Sequence, residues 1–438
     1  MPLIVLFAAA CAADPVGFTV VAPKAFTASL GGYVAERSKE FSTKLAVLEE
    51  VTANQRGVDD AEKLKKFLYD EWKNRKVKFV LLVGDADVLP VRYMCLDRVT
   101  PAAFDYAFYP SDLYYADVAK EDGSFDDWNG NKEGFHARYF GEVRGEKNKS
   151  DPINYDGISY VPELGVGRWP VSTAKEVEIV VKKTLAREKA MAQSPGAFRN
   201  AVFCCVPGWV DAKKRMERWG GDLSHWRVEK QFKEGKNTPT AERLVKSLNR
   251  GVGLVFHVGH GEIGGWDHNL HTGDLKAVHN DKALPIMLSA GCSTAYHCTL
   301  PPYEGYIDID GKDHKGTDAG EVFTAPPPPP RVYQSGKYNR SSMGELLVKG
   351  GPNGAVAYIG CNTGGQPCGI TILEGFAKSV AKRPNERLGE AWMDAIRYYH
   401  KTEKLAELKP NNDWYPPSIF FQGMKYMLYG DPTTPVGR

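Results

Sequence analysis

Hydrophobic and polar positions along the first half of the chain alternate between a helical and a strand pattern. Leu64, Phe67, Leu68 and Trp72 recur at i, i+3, i+4 and i+8, which places them on one helix face. Just before them, Asp59-Asp-Ala-Glu62 has the spacing of a capping box, in which side chains bond the orphan N–H groups of a helix start. The run Val77-Lys-Phe-Val-Leu-Leu-Val83, closed by Gly84, predicts a strand buried on both faces, as in a parallel sheet. Leu164-Gly-Val-Gly-Arg168 predicts a second strand. It leads through Pro170 into Ser172-Thr173-Ala-Lys-Glu176, another capping-box spacing, with Val177, Val180, Val181 and Leu185 on the following helix face.

The second half repeats this alternation. Ala201-Val-Phe-Cys-Cys-Val206 reads as a strand ended by Pro207-Gly208, and Thr238-Pro239 as a helix start with Pro at its first position. Leu244, Val245 and Leu248 form the stripe of that helix, and Gly251 closes it. Strands are predicted over Gly253–Val258, Leu284–Ser289 and Gly354–Ile359, and helices over Glu374–Lys382 and Leu388–His400. This is α/β architecture. Five prolines, Pro326 to Pro330, favour extended polyproline II, so residues 303–338 read as a surface insertion. The expected organisation is an amino-terminal α/β subdomain over 15–195 and a second over 196–438.

Composition narrows the class. The 438 residues imply two or three domains at roughly 150 residues each. With 42% hydrophobic and 25% charged residues, disorder, a fibrous repeat and a multi-span membrane protein are excluded. Lys and Arg total 56 against 54 Asp and Glu, so no global basic field exists for nucleic acid. Eight cysteines are too few for a disulfide scaffold and too scattered for a zinc ribbon. The opening Met1-Pro-Leu-Ile-Val-Leu-Phe-Ala-Ala-Ala-Cys11 resembles the core of a secretory signal, which makes residues 1–14 a candidate leader and export to the periplasm, cell surface or medium the expectation. No Lys or Arg precedes Lys24, so the alternative is a truncated start followed by a strand over Phe18–Ala22.

The chemistry concentrates after two predicted strands. One ends Phe256-His257-Val258-Gly259-His260-Gly261-Glu262, the other Leu288-Ser289-Ala290-Gly291-Cys292-Ser293-Thr294. Ligands of open parallel sheets sit beyond the carboxyl ends of the strands. If these two strands are neighbours, His260 and Cys292 emerge side by side. A thiol needs an adjacent base to act as a nucleophile at neutral pH, and an imidazole supplies one. Glycines beside both residues let N–H groups approach a reacting carbonyl, and the N–H of Gly261 and of Cys292 are the natural oxyanion donors. Taken singly, either residue reads more readily as an inert core side chain; it is the two together, each with flanking glycine, that point to catalysis.

Gly259-His260-Gly261 with Ser289-Ala-Gly-Cys292 resembles the dyad of the gingipain family of cysteine peptidases, relatives of the caspases and legumains. Val80-Leu-Leu-Val-Gly-Asp-Ala-Asp87-Val-Leu-Pro90, Ser111-Asp-Leu-Tyr-Tyr115-Ala-Asp117 and Pro162-Glu-Leu-Gly-Val-Gly-Arg168-Trp-Pro170 match that family's pattern as well. So do Gly351-Pro-Asn-Gly-Ala-Val-Ala357 and Tyr429-Gly-Asp-Pro432-Thr433. The resemblance implies a caspase-like fold of two adjacent α/β subdomains with mainly parallel central sheets flanked by helices. It implies His260 as general base, Cys292 as nucleophile and Gly261 with Cys292 as oxyanion hole, with no cofactor in catalysis and protein or peptide substrates. Gly291 replaces the family's Ala before the nucleophile. The family's acidic residue for a basic P1 side chain has no firm match here; Asp211 and Glu217 are the candidates, and Trp266 is spaced to line the same pocket.

Other patterns supply alternatives. His257 and His260 stand in HxxH spacing, with His268, His271 and His279 nearby, the basis of a metal-hydrolase reading. A catalytically silent binding domain on the same scaffold is the other alternative. Asp127, Asn129 and Asn131 alternate as oxygen ligands do in calcium loops, although Lys132 stands where a glycine is expected, and gingipain relatives bind structural calcium. Asp308, Asp310 and Asp313 form a weaker version of that pattern, while Asp85 and Asp87 read as turn and cap residues.

Overall fold

The computed structural model describes residues 15–95, 108–128, 158–194, 196–232, 238–316, 328–383, 385–409 and 415–437. The candidate leader therefore lies outside the described residues. So do Asn129 and Asn131 and the first prolines of the Pro-rich run.

Ten strands form one sheet: β1 (Gly17–Ala22), β2 (Ser42–Val47), β3 (Val77–Val83), β4 (Gly165–Trp169), β5 (Asn200–Cys205), β6 (Arg227–Phe232), β7 (Leu254–Val258), β8 (Ile286–Ser289), β9 (Ala357–Cys361) and β10 (Tyr426–Tyr429). Their spatial order is β2-β1-β3-β4-β10-β9-β8-β7-β5-β6. The principal helices are α1 (Thr27–Arg37), α2 (Asp60–Arg75), α3 (Ala174–Gln193), α4 (Lys213–Asp222), α5 (Ala241–Asn249), α6 (Met343–Lys349), α7 (Ile370–Lys382) and α8 (Leu388–Thr402). This is the α/β architecture of the hydrophobic pattern. β3 is buried at every position except Lys78, the expected state of a strand covered by helices on both faces.

The sheet has two parallel sections. β1 pairs in parallel with β2 and β3, and β3 with β4. β8 pairs in parallel with β7 and β9, and β5 with β6 and β7. Between them, β10 runs antiparallel to β9 and touches β4 through the bridge Tyr429↔Arg168. The two sections therefore point their carboxyl ends in opposite directions. The carboxyl end of the second section carries His260 and Cys292.

Local signals explain most boundaries. Asp59 Oδ1 accepts from Glu62 N at 2.9 Å, but Glu62 Oε2 turns to Val58 N at 2.8 Å, so that box is closed one residue early. Thr173 and Glu176 complete the reciprocal box of α3. The helix expected at Thr238-Pro239 starts at Ala241 instead. Thr240 accepts from Arg243 N at 3.2 Å, and this cap, which a proline cannot supply, sets the start. Helix α7 begins at Ile370, one turn before the expected Glu374, because a 3₁₀ turn at Pro367–Gly369 leads into it.

The junction of the two sections needs a close backbone approach. Gly430 N donates to Arg168 O at 2.8 Å, and a Cβ on Gly167 would overlap the carbonyl oxygen of Gly430. Gly167→Ala is expected to cost roughly 1–3 kcal/mol through forced separation of β4 and β10. Chemical denaturation checks this, and an unchanged midpoint would show that the junction yields without cost.

Candidate active site

Parallel pairing of β7 and β8 sets the register Leu288↔Phe256 and Ser289↔His257, so both chains leave the sheet at the same level. The two loops then come into backbone contact. A Cβ on Gly291 would lie 3.1 Å from Gly261 N, and one on Gly261 would lie 2.9 Å from Cys292 O. The glycines thus allow the His260 and Cys292 loops to touch.

Each loop is pinned at its turn. Ser293 takes φ 53°, a left-handed conformation that costs a non-glycine residue about 1 kcal/mol, and its N–H donates to Thr363 O at 2.8 Å. The kink presents Cys292, partly exposed, at the tip. Gly365 N donates to Cys292 Sγ at 3.2 Å, a bond stronger to a thiolate than to a thiol. His260 is exposed, and its Nε2 lies 3.0 Å from Gly208 O. A carbonyl only accepts, so Nε2 carries the proton and Nδ1 holds the free lone pair. Gly208 has φ 105°, a region open to glycine, and this aims its carbonyl at the ring. The Trp209 ring stands 6.3 Å from the His260 ring.

A buried relay lies beneath the loops. Gly291 N donates to Ser289 Oγ at 3.1 Å, and Ser289 Oγ lies 2.9 Å from His257 Nδ1. His257 stacks on Trp266 at 4.2 Å, and Trp266 Nε1 donates to Tyr358 OH at 2.9 Å.

Sequence reasoning singled out His260, Gly261 and Cys292, and the structure brings the loops that carry them into contact. It missed Gly208 and Gly365, which belong to loops after β5 and β9; the Pro207-Gly208 and Gly364-Gly365 pairs were the available signals. Trp266 is fully buried, so it supports the loops from below and does not line an open pocket. Asp211 is exposed after β5 and accepts from Lys213 N at 3.1 Å, while Glu217 is exposed midway along α4. The histidines do not converge: His257 is buried and His260, His268 and His279 are exposed. Among the described residues the one group spaced to hold a metal ion is Asp85, His297 and Glu345, so the metal-hydrolase reading loses its geometric basis. Asp127 is exposed. Asp308 forms a local turn, accepting from Asp310 N and Lys312 N and pairing with His314 at 2.6 Å. Asp87 accepts from Ser172 Oγ at 2.9 Å, but Asp85 makes a buried ion pair with Lys349, more than a turn residue's role.

The chain matches the family described as Peptidase family C25 over residues 12–437, and it belongs to that family. It is a cysteine-type peptidase of gingipain kind. Among solved structures it is similar to the Arg-specific cysteine proteinase gingipain R (RGPB), with a TM-score of 0.64 and 15% identity over 97% of this chain and 79% of that one. The complex of RgpB pro- and mature domains from Porphyromonas gingivalis gives a TM-score of 0.61 and 15% identity, over 96% of this chain and 80% of that one. These likenesses show the caspase-like fold. A comparison with curated proteins finds no match. No helix of the described residues is long and apolar enough to cross a membrane.

Burial pushes the His257 imidazole down to about 3, so it is neutral in the folded protein, whereas in the unfolded chain it titrates near ~6.5. The stability it contributes is complete above the unfolded value and is lost as pH falls towards 3. His257→Phe keeps a ring against Trp266 without this titration. Between pH 7 and pH 4 the variant should lose on the order of 2–3 kcal/mol less stability than the wild type. Denaturation midpoints at the two pH values test this; parallel losses would remove His257 from the acid limb.

Proposed function

We propose that this peptidase is an endopeptidase working through a His260–Cys292 dyad and a thioester intermediate. The observation that carries the reading is the backbone contact of the two glycine-flanked loops, with Cys292 partly exposed and His260 held by Gly208 O. In the first half-reaction Cys292 Sγ attacks the scissile carbonyl carbon and its proton passes to His260 Nδ1. Negative charge gathers on the carbonyl oxygen, where the N–H groups of Gly261 and Cys292 receive it. The pair Gly261↔Trp266 is flanked by the bond from Asp267 N to His260 O at 3.1 Å, the pattern of a non-hydrogen-bonded pair, which leaves Gly261 N–H outside the ladder. The C–N bond then breaks, His260 returns the proton to the leaving amine, and a thioester remains. Water, deprotonated by His260, adds to the thioester; the C–S bond breaks and Cys292 is regenerated. This chemistry draws on no cofactor.

Cleavage after Arg or Lys is the specificity we infer. The support is the likeness to an Arg-specific proteinase and the place of Asp211, three residues beyond Gly208 on the loop that holds His260. Glu217 lies further along α4 and is the weaker candidate. We place the enzyme outside the cytoplasm on the strength of its apolar opening segment.

Iodoacetamide applied to the folded protein is expected to modify Cys292 first. Cys204, Cys205, Cys298, Cys361 and Cys368 are buried, and burial pushes the thiols of Cys361 and Cys368 up to about 12. Peptide mapping reads this, and equal labelling of all cysteines would count against the dyad. Cys292→Ala and His260→Ala should each lower kcat by about a thousandfold or more on a positional peptide library. Asp211→Asn should flatten the preference for Arg and Lys at P1. A flat P1 profile in the wild type, or no cleavage with Cys292 intact, would overturn the specificity or the activity respectively.

A further inference from the structure

Helix α6 meets both catalytic loops at one end and the opposite section of the molecule at the other. At its amino end Met343 N donates to Ile263 O at 2.9 Å and Gly344 N to Thr294 O at 3.1 Å. Ile263 lies just beyond His260, and Thr294 just beyond Cys292. A single rigid turn of backbone therefore holds the two loops in fixed relation.

The carboxyl end is anchored by buried charge. Lys349 Nζ lies 2.7 Å from Asp85 Oδ2 and 3.2 Å from Glu345 Oε2. His297, on the segment that follows Cys292, lies 3.4 Å from Glu345 and 3.6 Å from Asp85. Asp85 belongs to the loop after β3, which is itself held: Asp85 N donates to Val171 O at 2.9 Å, and Arg168 Nη1 to Gly84 O at 2.9 Å. From α3, Lys183 Nζ donates to Leu347 O and Val348 O in the last turn of α6 and to Asn353 O just beyond it, at 2.7, 2.9 and 2.7 Å. Ligand atoms of Asp85, His297 and Glu345 lie within 4.8 Å of one another, spacing that suits a metal ion. The Lys349 ammonium already bridges two of those carboxylates, so the cation of this cluster is part of the chain.

We propose that Asp85, Lys349 and Lys183 are positioning residues: they dock α6 on the amino-terminal section, and α6 sets the placement of His260 relative to Cys292. The proposal rests on the dyad reading of the site, and none of the three residues touches substrate. Misplacement of reacting groups by even 1 Å lowers rates steeply, so loosening α6 acts on kcat without a matching change in KM.

The first test uses the wild-type protein. Amide exchange under native conditions should show residues 260–264, 291–296 and 343–349 opening as one cooperative unit; independent protection of the three segments would overturn the proposal. The second compares Lys349→Met, the double variant Asp85→Asn/Lys349→Met, and Arg37→Met, which breaks a buried ion pair to Asp431 and Glu188 and leaves α6 untouched. Measured equally far below each melting temperature, the Lys349 variants should lose about tenfold or more in kcat at near-constant KM and exchange faster in both loops, with Lys349→Arg restoring most of the rate. Arg37→Met should do neither. Equal effects in Arg37→Met would reduce α6 to a general stability element. If the wild type cleaves no peptide, the dyad reading fails, while the exchange data still decide the role of α6.

Discussion

Everything at the site depends on the pairing of two short parallel strands in one register. With Ser289 opposite His257, β7 and β8 end at the same height, and the next residues of each chain must turn within a few ångströms of the other. Side chains at Gly261 and Gly291 would hold the loops apart. The contact of the loops that carry Cys292 and His260 thus comes from sheet register and missing Cβ atoms. Hydrogen bonds then set direction: the Gly208 carbonyl fixes the tautomer of His260, and the Gly365 N–H points at Cys292 Sγ.

The opposed directions of the two sheet sections explain how the half of the molecule without His260 and Cys292 is still tied to their loops. The carboxyl ends of β3 and β4 face away from those of β7 and β8, although the chain after β3 comes back to the end of β9, where Asn362 Nδ2 donates to Pro110 O at 2.5 Å. The turn directly after β3 meets the returning segment after Cys292 and the far end of α6. Charges buried there, Asp85, Lys349, Arg168 and Asp112, are paired in short contacts, with Arg168 reaching Asp112 at 2.7 and 2.8 Å. Such pairs contribute little net stability against apolar packing of the same volume, but they accept only one arrangement of partners. That selectivity suits a junction that must place one helix end.

Much of this was legible in the chain. The apolar run Val77–Val83 and the stripe of Leu64 and Leu68 follow from period alone, because a buried face leaves its spacing in the sequence. Gly-His-Gly and Ala-Gly-Cys after two predicted strands pointed to the site, since glycine at such positions records a close approach. Trp266 misled, because spacing along a loop cannot tell a ring facing a cleft from one stacked on His257 in the core. The HxxH spacing misled for a related reason: His257 is still in the strand and points inward, while His260 is past its end. Asp85 read as a turn residue, and nothing near it in sequence announces Lys349, which lies on another element altogether.

By itself the sequence determined the elements and their class and singled out His260 and Cys292 as candidates, because helix and strand periodicity, capping side chains and flanking glycines are local properties carried by neighbouring residues. Only the tertiary structure decided that the two sheet sections run in opposite directions, that Gly208 and Gly365 join His260 and Cys292, and that a lysine fills the cluster of Asp85, His297 and Glu345. Those relations pair residues far apart in the chain through register, burial and charge, and such pairings exist only once the chain is folded.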